Sequence, residues 1–418
     1  MSNSFFPVIK NRNFLKLWSS QILSQMTIHL VNFMLISRIF EKTGSSVAVS
    51  MLWISYALPA IFLLPISGPL VDIMNRKRIL LFTNILQAVT VLSFLVVNDH
   101  IYSVLPIVFI YSALNQFYIP AEAASIPDLV PKNFLPAANS LFLLTSQLMF
   151  VIGFGAGGSL ISLLGHKIPF LLSSLMLTLA AVAVWTLPES AKRKTSFRSS
   201  LVDFWSEFYR GYEYLRSEPK VFFPLGVLIG GGLLLYVMSA IFPLIGKEIL
   251  GIGIKHTGVA IIVPVGIGAL IASTIVPRLA MKKRNRWLVE NGMLILSLSL
   301  VFLGIILPVA GGYFSYVLGL RVLLGIPAIM AIGFCAIMVY VPSQTVVQQR
   351  TPENMRGRIL SASSFLITAF SIVPLIFGAA ITDMMGIRTM LVLIAVCVLI
   401  ARNFSRKSGD GYMLNSKM

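Results

Sequence analysis

Gln21, Gln25, His29 and Asn32 recur at spacings of 4, 4 and 3 inside an apolar run near the amino terminus. On a helix they share one face. A second set, Tyr111, Asn115, Tyr118 and Glu122, is spaced 4, 3 and 4. Amides, phenols, an imidazole and a carboxyl can hold a solute by hydrogen bonds. His29, Glu122 and Arg321 are the candidate coupling groups. Histidine changes charge near neutral pH, and ionisable residues inside membrane spans mark solute or proton pathways. Arg321 is the one cation well inside an apolar run. Plainer readings stay open beside these. Each stripe can be a polar seam between two helices. His29 can be a hydrogen-bonded core histidine, and Arg321 can pair with backbone carbonyls. Glu122 stands at the end of its run, where a solvated helix end is the expectation. Tyr236, Met238, Ser239 and Met330 add soft, adaptable surface.

The elements that carry these residues are set by composition. The chain has 418 residues, 57% of them hydrophobic and 11% charged, with a mean hydropathy of +0.87. A soluble domain needs more polar surface than this. Its apolar blocks run 18–28 residues without alternation, which selects membrane helices over barrel strands. The expected spans are 14–39, 47–71, 79–97, 101–121, 139–164, 168–188, 221–246, 257–279, 287–308, 313–340, 359–382 and 387–404. The fold class that follows is all-α integral membrane, with twelve transmembrane helices as two six-helix, pseudo-symmetric bundles. Residues 1–188 form the first bundle, and 221–418 form the second with a short tail. Between them, 189–220 is a central loop. Its stretch Leu201–Leu215 has the apolar rhythm of a helix lying on the membrane surface.

Internal echoes support two copies. Gly68-Pro-Leu-Val-Asp-Ile-Met-Asn-Arg-Lys-Arg78 joins two apolar runs through Arg76, Lys77 and Arg78. Val276-Pro-Arg-Leu-Ala-Met-Lys-Lys-Arg-Asn-Arg286 repeats that layout 208 residues later, without the acid at Asp72. Pro131-Lys-Asn-Phe and Pro352-Glu-Asn-Met echo each other 221 residues apart. Repeats in one order, with one basic side, are a transporter pattern.

The net charge of +18 is not a nucleic-acid footprint, because the cations sit in short loops between apolar runs. Of the 33 Lys and Arg, 26 fall on one set of loops and six on the other. That asymmetry puts both termini in the cytoplasm of a multi-pass cell-membrane protein. Cys335 and Cys397 lie far apart in apolar runs and read as core residues, with neither disulfide nor metal spacing. No zinc motif, Ser-His-acid set or phosphate loop is visible, so neither an enzyme nor a cofactor is expected. No ring of acids or carbonyl filter suggests a channel.

This layout resembles the major facilitator superfamily over the whole chain. Gly68, Asp72, Arg76 and Arg78 match its signature loop, with Asn75 where glycine is usual. Asparagine is the residue that most readily replaces glycine in a left-handed turn. The resemblance makes this loop a conformational latch. In that role Asp72 accepts from a neighbouring helix amino end, and Arg76 and Arg78 pair with acids or lipid heads. Glu41-Lys-Thr-Gly-Ser-Ser, Ile126-Pro-Asp-Leu-Val-Pro131, Ala138-Asn-Ser-Leu141, Arg210-Gly-Tyr-Glu-Tyr-Leu-Arg216 and Arg350-Thr-Pro-Glu-Asn-Met-Arg-Gly-Arg358 resemble the macrolide-efflux and enterobactin-exporter branch. Gly153-Phe-Gly-Ala-Gly-Gly158 resembles the antiporter motif, with Phe154 in place of its proline. Gly153, Gly157 and Gly158 then serve close helix packing.

The resemblance implies a cavity between the halves, lined by spans 1, 4, 7 and 10. Gln25, His29, Asn32, Tyr111, Asn115, Tyr236 and Arg321 are its candidate residues. Tyr111 stands where drug–proton antiporters carry an arginine, and Arg321-Val-Leu-Leu-Gly325 is a candidate relocated version. The expected activity is export of a hydrophobic or amphipathic small molecule, such as a drug, macrolide-like compound or siderophore, by alternating access. The proton is the candidate coupling ion. Membrane lipids are partners, nucleic acid is not, and a monomer is expected. The alternative is a lipid or lysophospholipid flippase on the same fold.

Overall fold

The computed structural model describes residues 5–97, 101–189, 219–307 and 318–407, with Ser206, Tyr209 and Glu213 between. The expected surface helix at 201–215 falls almost entirely outside them. The described residues form helices and no strand. Two compact units divide the chain. Unit 1 holds Met1–Lys42 and Met51–Trp205, and unit 2 holds Thr43–Ser50 and Ser206–Met418.

Unit 1 opens with a short helix, α1 (Phe5–Lys10), and continues with α2 (Arg12–Thr43). Asn11 starts α2. Its Oδ1 accepts from the backbone N–H of Asn13 (3.0 Å) and Phe14 (3.2 Å), the work of an N-cap. Its Nδ2 donates to the Leu129 carbonyl at 2.6 Å. Then come α3 (Ser46–Ile73), α4 (Arg76–Ser93), α5 (Ile101–Leu129), α6 (Leu135–Leu164) and α7 (Ile168–Trp185). α4 packs against both α5 and α7. Prolines occur inside α3 and α5, as membrane helices tolerate. A buried cluster around Phe14, Leu17, Leu80, Tyr118 and Phe142 ties α2, α4, α5 and α6 together. Arg38 of α2 donates to the carbonyls of Phe94 (3.0 Å) and Val97 (3.2 Å), satisfying the end of α4.

Unit 2 contains α8 (Pro219–Leu244), α9 (Val263–Lys282), α10 (Asn285–Val301), α11 (Leu318–Arg350), α12 (Glu353–Met385) and α13 (Ile387–Lys407). α11 packs on α8, α9 and α10, while α12 lies on α8 and α13 on α10. Three stretches widen to π-helix: Ile245–Leu250 after α8, Gly258–Ile262 before α9, and Phe302–Ile306 after α10. The first turn of α3 groups with this unit. There Asp383 of α12 accepts from Ser45 Oγ (2.6 Å) and from the N–H groups of Ser46 (2.8 Å) and Val47 (3.0 Å).

Eleven described helices are long and apolar enough to cross a membrane. α4 is the twelfth. It has 18 residues, and three cations fill its first turn. Its helix ends at Ser93 rather than at the expected 97. α5 departs most from expectation, running to Leu129 where the apolar run stops near 121. α11 and α12 also outrun their apolar runs, reaching Arg350 and starting at Glu353. Cys335 is buried as expected of a core residue, but Cys397 is exposed.

Candidate functional site

Within unit 1 the predicted polar residues divide by environment. Gln21 is buried, and its Nε2 donates to the Phe142 carbonyl at 2.8 Å. This joins α2 to α6. Asn32 is also buried, while Gln25 and His29 are half-buried. The His29 ring stands edge-on to Phe150 at 5.3 Å and tilts over Phe154 at 6.0 Å. Two glycines permit this approach. A Cβ added at Gly153 would lie 2.7 Å from His29 Cβ and 3.2 Å from Leu30 N, and one at Gly157 would lie 2.6 Å from the Phe33 ring. Gly158 is buried on the same helix. His29 is therefore seated in an aromatic cradle on α6.

On α5, Tyr111 is enclosed at 2% exposure, its ring 6.2 Å from that of Tyr56. Asn115 is half-buried. Glu122 corrects the expectation of a solvated helix end. It is only 7% exposed, and its Oε1 accepts from the Tyr118 hydroxyl at 2.8 Å. The cause is the length of α5, which continues to Leu129 and so carries Glu122 about two turns inside the helix. Pro120 lies between Tyr118 and Glu122. It lacks the N–H that would bond the carbonyl one turn back, so α5 is loosened there.

The basic hairpin also differs from its expectation. Asn75 is not left-handed. It has φ −72° and ψ 112°, and its side chain accepts from Arg78 N. It is the N-cap of α4, a role asparagine fills well. Arg76 is buried, with Nη1 donating to the Ala124 carbonyl at 2.6 Å and to Asp128 Oδ2 at 2.7 Å. Lys77 donates to the Leu187 carbonyl at 2.5 Å, and exposed Arg78 faces Glu189 at 3.9 Å. These cations tie α4 to α5 and to the end of α7. Asp72 is half-buried at the end of α3, and Gly68 has open space where a Cβ would stand.

In unit 2, Tyr236 of α8 is half-buried and its carbonyl accepts from Ser239 at 2.6 Å. Arg321 is half-buried in the first turn of α11. The residues just before it, 308–317, lie outside the described set.

A further polar group, framed by no stripe or repeat in the sequence, lies in the heart of unit 1. Ser20, Thr27, Asn84, Gln87 and Ser173 are fully buried, and Ser24 and Ser174 nearly so. Asn84 and Gln87, two amides three apart in the apolar run of α4, were the available signal. Among the described residues no group of His, Cys, Asp and Glu could hold a metal ion.

Comparison with known proteins agrees with this architecture. The chain is 25% identical over 403 residues to an uncharacterised MFS-type transporter, YfiS of Bacillus subtilis, covering 94% of this chain and 92% of that one. It is 23% identical to macrolide efflux protein A of Streptococcus pyogenes, covering 93% and 94%. A mutant of the nucleoside transporter NupG superposes with a TM-score of 0.74 at 13% identity, over 95% and 99% of the two chains. A bacterial homologue of the human lysosomal transporter Spinster also gives 0.74, at 11% identity, over 96% and 98%. The family described as Major Facilitator Superfamily matches residues 17–373. On that match, the chain belongs to the major facilitator superfamily of membrane transporters.

Proposed function

We propose that this transporter exports an amphipathic or hydrophobic small molecule in exchange for protons. The observation that carries the reading is Glu122, a carboxyl buried inside a membrane helix and hydrogen-bonded by Tyr118. A lone charge in such a place is costly and marks a functional group. Glu122 takes up and releases the coupling proton, with Tyr118 orienting it. Gln25, His29, Asn115, Tyr236 and Arg321 are the cargo contacts, being half-buried and so reachable. Tyr111 and Asn32 are enclosed. The likeness to macrolide efflux protein A supports the cargo class and the direction.

The test is uptake of a fluorescent amphipathic cation, such as ethidium, into everted vesicles under an imposed pH gradient. Glu122→Gln is expected to lower uphill transport at least about tenfold, an effect of roughly 1.4 kcal/mol, with the amount of folded protein unchanged. Normal pH-driven accumulation by Glu122→Gln would overturn the coupling role. Movement of a labelled lysophospholipid in place of the cation would favour the flippase alternative.

A further inference from the structure

Three hydrogen bonds tie α2, α4 and α7 into a triangle inside unit 1. Asn84 Nδ2 donates to Ser20 Oγ at 3.4 Å, Ser174 Oγ to the Ala88 carbonyl at 3.1 Å, and Thr27 Oγ1 to the Ser173 carbonyl at 3.3 Å. Within this triangle Asn84 Oδ1, Ser173 Oγ and both amide atoms of Gln87 have no hydrogen-bond partner among the described residues. Each such orphan has given up its hydration without replacement, so four in one seam would be a heavy penalty if the seam were dry. Water is the usual remedy, because one molecule makes 2–4 hydrogen bonds with groups of this kind.

The identity of the ligand follows from the donors. Gln87 Nε2 is a donor that needs an acceptor, and a sodium ion cannot accept. Nor does Asn84, Gln87 or Ser173 bring a negative charge to balance a cation. Water both accepts and donates, and so suits all four atoms. The seam also reaches Glu122. The Ser20 and Ser24 hydroxyls lie within hydrogen-bonding reach of the Tyr118 hydroxyl, which donates to Glu122.

We infer that the seam between α2, α4 and α7 binds a chain of ordered water that delivers protons to Glu122 through Ser20, Ser24 and Tyr118. In one transfer the Tyr118 hydroxyl proton moves to Glu122 Oε1. The Tyr118 oxygen takes a proton from a serine hydroxyl, and that serine is reprotonated by the water chain, which carries in the excess proton of a hydronium ion and is left neutral. Tyrosine and serine end unchanged, and one proton has passed from the seam to the carboxylate. The proposal rests on Glu122 being the coupling group, and its test separates the two.

The test is infrared difference spectroscopy of the reconstituted full chain, recorded across an alkaline-to-acid titration in ordinary and in oxygen-18 water. The expected result is a carboxylic-acid band lost in Glu122→Gln, together with a water band that shifts with oxygen-18. Gln87→Met should abolish the water band and slow the growth of the carboxyl band. A carboxyl band with no oxygen-18-sensitive partner would overturn the seam proposal and leave the role of Glu122 standing. A water band with no titrating carboxyl would overturn the coupling reading and the delivery step together, leaving only bound water. Thermal unfolding provides an independent check. Gln87→Met lowers the midpoint if water is lost. A raised midpoint would mean a dry seam relieved of two orphans and would sink the proposal, as would stabilisation by sodium chloride but not choline chloride.

Discussion

Arg76 shows how one residue can serve the fold while resembling a moving part. Its guanidinium reaches the Ala124 carbonyl and Asp128 at once. Both bonds leave one nitrogen, Nη1, whose N–H groups are fixed in the guanidinium plane, and the strongly hydrated, tetrahedral ammonium of lysine does not reproduce that geometry. Arg76→Lys is therefore expected to cost about 1–3 kcal/mol, read as a lower unfolding midpoint of the purified protein. Unchanged stability with altered transport would move Arg76 from the structural role to the latch role. Arg321 makes the opposite case. It stands half-buried in the first turn of α11, where a long cation can reach the interface and costs less than at a membrane centre. Arg321→Ala is expected to cut ethidium transport while leaving the yield of folded protein intact. Arg321→Lys should restore only part, and normal transport by Arg321→Ala would make the arginine structural.

Helix pairs are governed by small residues and caps. A Cβ at Gly268 would fall inside the Met330 carbonyl oxygen, and one at Gly333 inside that of Val265. Backbone atoms cannot rotate away, so Gly268→Ala and Gly333→Ala should each prevent the α9–α11 pair from closing. The expected readout is loss of monodisperse protein in detergent. Asp383 caps α3 from another helix, and Asp383→Ala should cost about 0.5–2 kcal/mol. Helix existence was legible from hydropathy because the bilayer demands long apolar runs. Helix ends were less so. α5 outruns its apolar stretch because Ser125 and Asp128 find partners within unit 1, the Ala121 carbonyl and Arg76. That extension hid the burial of Glu122. The Asn84–Gln87 pair escaped notice because no repeat or stripe frames it, and only three-helix packing gives it meaning. Asn75 misled because asparagine suits both a left-handed turn and an N-cap, and the sequence does not choose between them.

At the scale of the whole molecule, the cation asymmetry predicts sidedness. Cysteines placed at Thr195 and Asp410 in a background lacking Cys335 and Cys397 should resist a membrane-impermeant maleimide in intact cells. They should react once the membrane is opened. Labelling from outside would reverse the assignment of the termini.

The π-helical stretches of unit 2 bear on how this chain tolerates changes in length. A π turn closes on the fifth residue where an α turn closes on the fourth, so it stores one residue beyond what an α-helix needs. Removing Val259 from Gly258–Ile262 would let that stretch tighten to α and leave α9 in register, with Gly268 still facing Met330. Removing one residue from the α-helical body of α9, such as Ile275, would turn everything beyond it by about 100°. Single deletions should therefore be accepted at the three π stretches and rejected in the helices beside them. Unit 1 has no such slack among its described residues, so its membrane helices should refuse the same change.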